Sequence, residues 1–274
     1  MIDMEATKRK RLEDKARKIR KYVINMLYEA GSGHPGGSLS CVDILTALYF
    51  HTMHHNPLEP EWTDRDRFIL SKGHAAPTLY AILAEAGYFP VEELQSLRKM
   101  GSMLQGHPDS EVPGVEVSAG SLGQGLSIAS GIALAGKRDK KAYMVYTLLG
   151  DGECDEGQVW EAAMFASHYK LDNLTAIVDR NGLQIDGPTE KIMRLESIAD
   201  KWRAFGWHVI EIDGNKIVEI IAALDDAKSI RGKPTAIIAH TFKGKGISFM
   251  EWINAFHGRA LNKEEMEIAL QELG

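Results

Sequence analysis

The stretch from Tyr143 to Gly187 limits what this chain can fold into. Tyr143-Met144-Val145-Tyr146-Thr147-Leu148-Leu149 is an apolar run that reads as a buried strand. It breaks at Gly150-Asp151-Gly152 and a helical pattern follows. A second apolar run, Leu174 to Val178, ends at Asp179-Arg180-Asn181-Gly182. A strand–helix–strand unit pairs its strands in parallel, because the helix carries the chain back to start again in the same direction. Asp151 and Asn181 then fall at the carboxyl edge of the sheet, where open α/β folds bind ligands. A carboxylate and an amide oxygen are hard donors that suit Mg²⁺, a cation usually shared with a ligand's phosphates.

The rest of the chain repeats this alternation. Strands are expected at Arg67–Leu70, Trp207–Ile212 and Pro234–His240. Helices are expected at Ser38–Tyr49, Ala76–Gly87, Leu126–Lys137 and Ile217–Lys228, with an N-terminal helix over 5–29 and a C-terminal one over 262–273. Strands separated by helical segments of this length give an α/β fold, a parallel β-sheet with helices on both faces. Without a repeat or a linker, residues 1–274 read as a single domain, and 44% hydrophobic content suits one substantial core. The basic residues between Lys8 and Lys21 fill the polar side of a helix whose apolar side is Leu12, Ala16, Ile19, Val23, Met26 and Leu27, so they read as a solvated face. A net charge of −6 argues against nucleic acid. Two cysteines in no CxxC pair, a charged N-terminus and no membrane-length apolar run lead to the expectation of a cytoplasmic protein without a membrane span.

Glycine turns punctuate the strand ends. Gly31, Gly33 and Gly36 formally satisfy GxGxxG, but a helix precedes them where a dinucleotide site requires a strand, so the nicotinamide reading is rejected. What remains is a tight turn presenting His34. His74 stands at the strand-to-helix junction Ser71-Lys72-Gly73-His74, His107 in Gly106-His107-Pro108, and His257 in Phe256-His257-Gly258. His51, His54 and His55 invite a zinc hypothesis, but no carboxylate or cysteine lies at useful spacing, so they read as a polar helix end. Lys243-Gly244-Lys245-Gly246 lacks the order of a P-loop. The residues alone thus indicate an Mg²⁺–phosphate site ringed by glycine turns and histidines.

At this point the chain resembles the N-terminal, thiamine-diphosphate-binding part of a transketolase over nearly its whole length. The resemblance rests on SGHPGG (32–37), RDRFILSKGHAAPTLY (65–80), GHP (106–108) and PGVEVSAGSLGQGLS (113–127). GDGECDEGQVWEAA (150–163), DRNGLQIDG (179–187) and FHG (256–258) complete the set. It implies the thiamine-diphosphate-binding fold, with Asp151, Asn181 and the backbone carbonyl of Leu183 as ligands of Mg²⁺, or of Ca²⁺ or Mn²⁺ in its place. It implies that Gly152, His74 and His257 hold the diphosphate, and that Gly120, Leu122 and Ile185 lie along the cofactor's rings. His34 and His257 resemble the groups that move the donor sugar's hydroxyl proton, and His74 and His107 those that contact its hydroxyls. Glu156 corresponds to the interface glutamate, which hydrogen-bonds the carboxylate that activates the cofactor.

Single-chain transketolases continue into a pyrimidine-binding domain and a third domain, which also carry the phosphate grip for sugar substrates; this chain ends at Gly274 in a capped helix. The resemblance therefore implies a natural N-terminal subunit of a split transketolase. It would transfer a two-carbon ketol (dihydroxyethyl) unit from a ketose phosphate to an aldose phosphate, as in the pentose phosphate pathway of carbohydrate metabolism. A separate C-terminal subunit would complete an α2β2 heterotetramer, with self-association through the N-terminal subunit. Two alternatives stand beside this reading, the α subunit of a 2-oxoacid dehydrogenase and a non-catalytic cofactor-binding partner. SKGH, SLGQG and the FHG histidine weigh against the dehydrogenase, since decarboxylation needs no base for a sugar hydroxyl. One departure is Trp252-Ile253-Asn254-Ala255, where many relatives carry a further histidine. Fewer diphosphate contacts are expected from that side.

Overall fold

The structure, a computed structural model, describes residues 2–274, with side chains from Ala6 onward. The chain runs α1 (Ile2–Ala30), α2 (Pro35–Ser40), α3 (Val42–Ala47), β1 (Arg67–Leu70), α4 (Ala76–Ala86), α5 (Gln124–Arg138), β2 (Val145–Gly150), α6 (Gly157–His168) and β3 (Leu174–Arg180). It continues through β4 (Leu183–Gln184), β5 (Gly187–Pro188), α7 (Thr189–Ile192), α8 (Ile198–Ala204), β6 (His208–Asp213), α9 (Ile217–Ser229), β7 (Thr235–His240) and α10 (Lys263–Glu272). Five strands form one parallel sheet in the order β1-β2-β3-β7-β6, and β4-β5 is a small antiparallel hairpin. The α/β expectation with a parallel sheet is met.

Side chains on a strand alternate between faces, and here the alternation divides the core in two. Tyr146, Leu148, Ile177, Ile237 and Ala239 join the layer containing α1, α3, α4 and α9. Val145, Leu149, Ala176, Val178, Ala236 and Ile238 join the layer of α5, α6 and α8, where Trp202 is wholly buried. Every residue of β2 and β3 is buried. That is why these strands read as continuous apolar runs, as strands covered on both faces do.

The elements depart from the sequence reading where backbone geometry outweighs hydrophobic pattern. The single helix expected over Ser38–Tyr49 starts earlier and is interrupted. Pro35 opens α2 immediately after His34, and Cys41 (φ −102°, ψ 6°) resets the axis before α3. Proline's fixed φ suits a first helical position, where its missing N–H costs nothing. β3 outruns its apolar stretch, because Asp179 and Arg180 stay paired with Ala239 and His240 of β7. The three clustered histidines turn to separate neighbours: His51 lies 3.5 Å from Asp225, His54 3.4 Å from Asp66, and His55 bonds Tyr49 O and Tyr88 Oη. Asn262 and Glu265 form the reciprocal cap expected at the start of α10.

The glycine turn before α5 is a packing device. Gly123 caps the helix with φ +83°, and Gly125 presses the first turn against Ser71 at the end of β1. A methyl group at 125 would be driven into the Ser71 side chain and backbone. Gly125→Ala is therefore expected to lower the unfolding free energy by roughly 1–3 kcal/mol, as overpacking does. The check is a urea midpoint that falls while the m-value holds, although alanine is the better helix former.

Candidate active site

Glycine turns at the carboxyl edge of the sheet leave a cleft of about 260 Å³. His34, Lys72, His74, His107, Gly120, Leu122, Asp151, Gly152, Glu153, Asn181, Leu183, Gln184, Ile185, Lys243 and His257 are among its lining residues. Of the residues singled out from sequence, all but Glu156 line it. Glu156 stands at the start of α6, exposed and outside the cleft lining.

Each histidine is set by its own turn. His34 occupies the position before Pro35 of α2, and His74 sits in a short 3₁₀ turn between β1 and α4. The carbonyl of His107 accepts from Tyr80 Oη at 2.9 Å. His257 ends another 3₁₀ turn, Asn254–His257. The His34 ring lies 5.2 Å from that of His74 and 5.6 Å from that of His257, and the last two are 5.7 Å apart. Lys243 Nζ is 2.7 Å from His257 Nδ1 and 3.0 Å from the Leu183 carbonyl. An ammonium can only donate, so Nδ1 accepts and the ring proton belongs on Nε2.

Burial keeps these rings neutral. It holds His34 down to about 4, helped by the charge of Arg98, and His257 down to about 4, helped by Lys243. His74 lies well below the usual imidazole range for the same reason, with Lys72 next in importance, and His107 is lowered by burial and Arg98. Lys243 is lowered to about 8 by burial and by Lys72. Burial pulls Lys72 down, but the charge and hydrogen bond of Asp179, together with other nearby anionic groups such as Asp151, more than offset it and the ammonium moves upward.

Asp151 follows β2 and Asn181 follows β3, adjacent strands in register from Val145↔Leu174 to Gly150↔Asp179. Asp151 Oδ1 takes the Gly152 N–H at 2.9 Å, and Oδ2 takes the Gly182 N–H at 2.7 Å and Arg180 Nη1 at 3.0 Å. Burial and the neighbouring Asp179 push the Asp151 carboxyl upward. Glu153, which the sequence reading passed over, accepts from Ser71 Oγ, from Gly123 N at 2.8 Å and from Gly150 N at 2.9 Å. Lys72 and Lys243 were also missed. Their signal lay in SKGH and FKGKG, but a lysine in a motif reads as a surface charge until burial is known.

The donor set fits a diphosphate-bound cation. Asp151 is the one carboxylate among Asp151, Asn181 and the Leu183 carbonyl, so most of the charge for a divalent cation must come from the ligand. Lys243, whose ammonium meets a carbonyl and a neutral ring and no carboxylate, favours an anionic ligand, and the cleft holds a buried polar atom without a partner, His34 Nδ1. A Cβ on Gly37 would lie 3.1 Å from His74 Nε2, and one on Gly152 3.1 Å from Gln184 Cβ, so glycine keeps this floor open.

Comparison with known proteins shows what the chain is similar to. Residues 12–274 match the family profile described as transketolase, thiamine diphosphate binding domain. The chain is 49% identical to the 6-deoxy-6-sulfo-D-fructose transketolase subunit SqwG of Clostridium sp. (strain MSTE9), over 96% of each chain. It is 48% identical to an apulose-4-phosphate transketolase subunit of Phocaeicola vulgatus, over 96% of this chain and 93% of that one. The transketolase structure from Campylobacter jejuni superposes with a TM-score of 0.91 at 36% identity, covering 96% of this chain and 42% of that one. The chain thus spans nearly the full length of these two subunits and about two-fifths of single-chain enzymes.

Two outcomes follow from the buried charges. Lys72→Met strands the Asp179 carboxylate without its cation and is expected to cost roughly 3–5 kcal/mol in urea unfolding. His34 and His257 bind protons only near pH 4 in the folded chain, whereas an unfolded histidine titrates near 6.5. Between those limits the unfolded state holds more protons. The unfolding midpoint should therefore drop as pH falls from about 6.5 towards about 4, with little contribution from these groups above that window.

Proposed function

This chain belongs to the transketolase family, as its N-terminal thiamine-diphosphate-binding domain, and we propose that it is the N-terminal half of a two-chain transketolase. It moves a two-carbon ketol unit from a ketose phosphate to an aldose phosphate in the cytoplasm, within the pentose phosphate pathway or a related sugar route. Among the described residues no helix is long and apolar enough to cross a membrane. The observation that carries the reading is the set of three neutral histidine rings, 5.2 to 5.7 Å apart, facing the same cleft as Asp151 and Asn181.

Asp151, Asn181 and the Leu183 carbonyl would hold Mg²⁺, with Ca²⁺ or Mn²⁺ as substitutes, and His74, His257, Lys243 and the Gly152 backbone would hold the diphosphate. Leu122 and Ile185 are 40% and 68% exposed at the cleft mouth, apolar surface that the cofactor's rings would cover. When bound, thiamine diphosphate supplies the nucleophilic carbon and the electron sink for the two-carbon unit. The chain's own residues manage protons and position. Neutral imidazole at His34, or at His257 once Lys243 turns from its Nδ1 to the diphosphate, takes the proton from the donor's reacting hydroxyl and returns it to the acceptor's aldehyde oxygen. His74 and His107 orient the sugar's other hydroxyls.

The cofactor-activating carboxylate and the substrate-phosphate grip would come from a C-terminal subunit, in an α2β2 assembly in which the N-terminal subunits also meet. Glu156, exposed at the start of α6, would make that contact. Towards the other end of α6, Met164 and Phe165, with Tyr169 just after the helix, leave apolar surface open, with 55%, 37% and 41% exposure. The subunit names of the two bacterial relatives support a partner chain.

The test mixes this chain with a C-terminal transketolase subunit, thiamine diphosphate, Mg²⁺ and a ketose/aldose phosphate pair. Two-carbon transfer should require both chains. His34→Ala and His257→Ala should each reduce it by about 10²–10⁴, the usual worth of a positioned acid–base group. Transfer by this chain alone would overturn the two-chain reading, and unchanged turnover in both histidine variants would overturn the proton assignments.

A further inference from the structure

Arg180 is the last residue of β3, and the chemistry described so far makes no use of its side chain. Its guanidinium is 8% exposed and bonds three separate segments. Nη1 donates to Asp151 Oδ2 at 3.0 Å and to Thr189 Oγ1 at 2.6 Å. Nε and Nη2 reach Glu196 Oε1 at 3.1 and 3.0 Å, and Nη2 also reaches Glu190 Oε1 at 2.9 Å. Arg180 lines an open groove with Glu196, Glu211 and Trp252 and does not line the cofactor cleft, so it approaches Asp151 from the far side.

This contact makes the two Asp151 oxygens unequal. Oδ2 is filled by Arg180 and by the Gly182 N–H, whereas Oδ1 takes only the N–H of the next residue. A carboxylate so tethered presents its less-occupied oxygen in one orientation. The same guanidinium closes the segment that follows Asn181: Thr189 N returns to Gly182 O at 3.0 Å, and Glu190 and Glu196 are drawn onto Arg180. That segment begins with Leu183 and Ile185. Only a planar fork with five donors can serve an aspartate, a threonine and two glutamates at once; a lysine is a single point charge.

We propose that Arg180 is a positioning residue for the cation: it orients Asp151 from behind and couples the order of residues 183–197 to cation binding. This rests on the reading that Asp151, Asn181 and Leu183 ligate the metal. Groups that orient a metal ligand through its far atom matter nearly as much as the ligand, and their loss typically costs about 10–100-fold in metal affinity.

The experiment uses the full chain with saturating thiamine diphosphate, titrated with Mn²⁺ and followed by the electron paramagnetic resonance of the free ion. Hydrogen exchange over 183–197 is measured with and without Mn²⁺. Arg180→Met should weaken Mn²⁺ binding by about 10–100-fold and speed exchange across 183–197, and added Mn²⁺ should no longer slow that exchange. Arg180→Lys should fall between Arg180→Met and the wild type. Asp151→Asn, which alters the ligand itself, is the control for the site. Mn²⁺ affinity in Arg180→Met within twofold of wild type, with binding lost in Asp151→Asn, overturns the role of Arg180 and leaves the metal site standing. Wild-type affinity in Asp151→Asn, or no uptake by the wild type alone and mixed with a C-terminal subunit, overturns the metal reading itself. Should Arg180→Met fail to fold, Arg180→Lys decides: weaker Mn²⁺ binding at an unchanged melting temperature supports the proposal, and equal affinity overturns it.

Discussion

A single carboxylate, Asp179, ties together the segments from which the cleft is built. It is wholly buried near the end of β3. Its oxygens accept from Lys72 Nζ, from Ser40 Oγ at 2.6 Å, from Thr241 Oγ1, and at 3.4 Å from Asn181 Nδ2. Lys72 leads into His74, Ser40 closes the helix that His34 opens, Asn181 belongs to the cleft, and Thr241 leads into Lys243. Lys72 also donates to the Gly37 carbonyl at 2.8 Å, binding the first glycine turn to the same centre. In a low-dielectric interior such a network is strong when complete and costly when one member is removed. The cleft depends on it because its walls come from loops, which have no ladder of their own to hold them.

Around that anchor the charges are sorted. Burial, reinforced by the nearest cation in each case (Arg98 at His34, Lys72 at His74, Lys243 at His257), keeps the imidazoles at 34, 74 and 257 unprotonated. Protonated imidazoles would add to a positive cluster and could not accept a proton. Neutral ones leave Lys243 as the cation available to an anionic ligand and keep the unpartnered His34 Nδ1 free to act as a base. The acidic groups are handled in the opposite way: Asp151 and Glu153 are both pushed upward by burial, yet each is met by backbone N–H groups or a cation. A divalent cation at Asp151 would reverse that upward shift.

Much of this was legible in the chain. The strand–helix–strand run around residue 150 led to the parallel pairing of β2 and β3 and to the juxtaposition of Asp151 with Asn181, because both follow from periodicity and chain direction. Four histidines were found because glycine turns and family motifs mark strand ends. Lys72, Glu153, Arg180 and Lys243 were passed over for one reason. A charged residue reads as solvent-facing, and only its packed neighbours reveal that it is buried and paired. The break at Cys41 was equally hidden, since Ser38–Tyr49 reads as one apolar helix although the chain there forms parts of two helices and enters a π turn, Leu48–Thr52.

By itself, the amino-acid sequence determined the α/β class, the family, the strand ends that carry Asp151 and Asn181, and the histidines presented beside them. These are local properties of pattern and motif. Only the tertiary structure decided that four histidines line one cleft, that Lys243 rather than solvent meets His257, that Glu156 stands outside it, and that Arg180 grips Asp151 from behind. Those facts depend on contacts between residues far apart in the chain, and on burial, which shifts the titration of a histidine or lysine without changing a letter of the sequence.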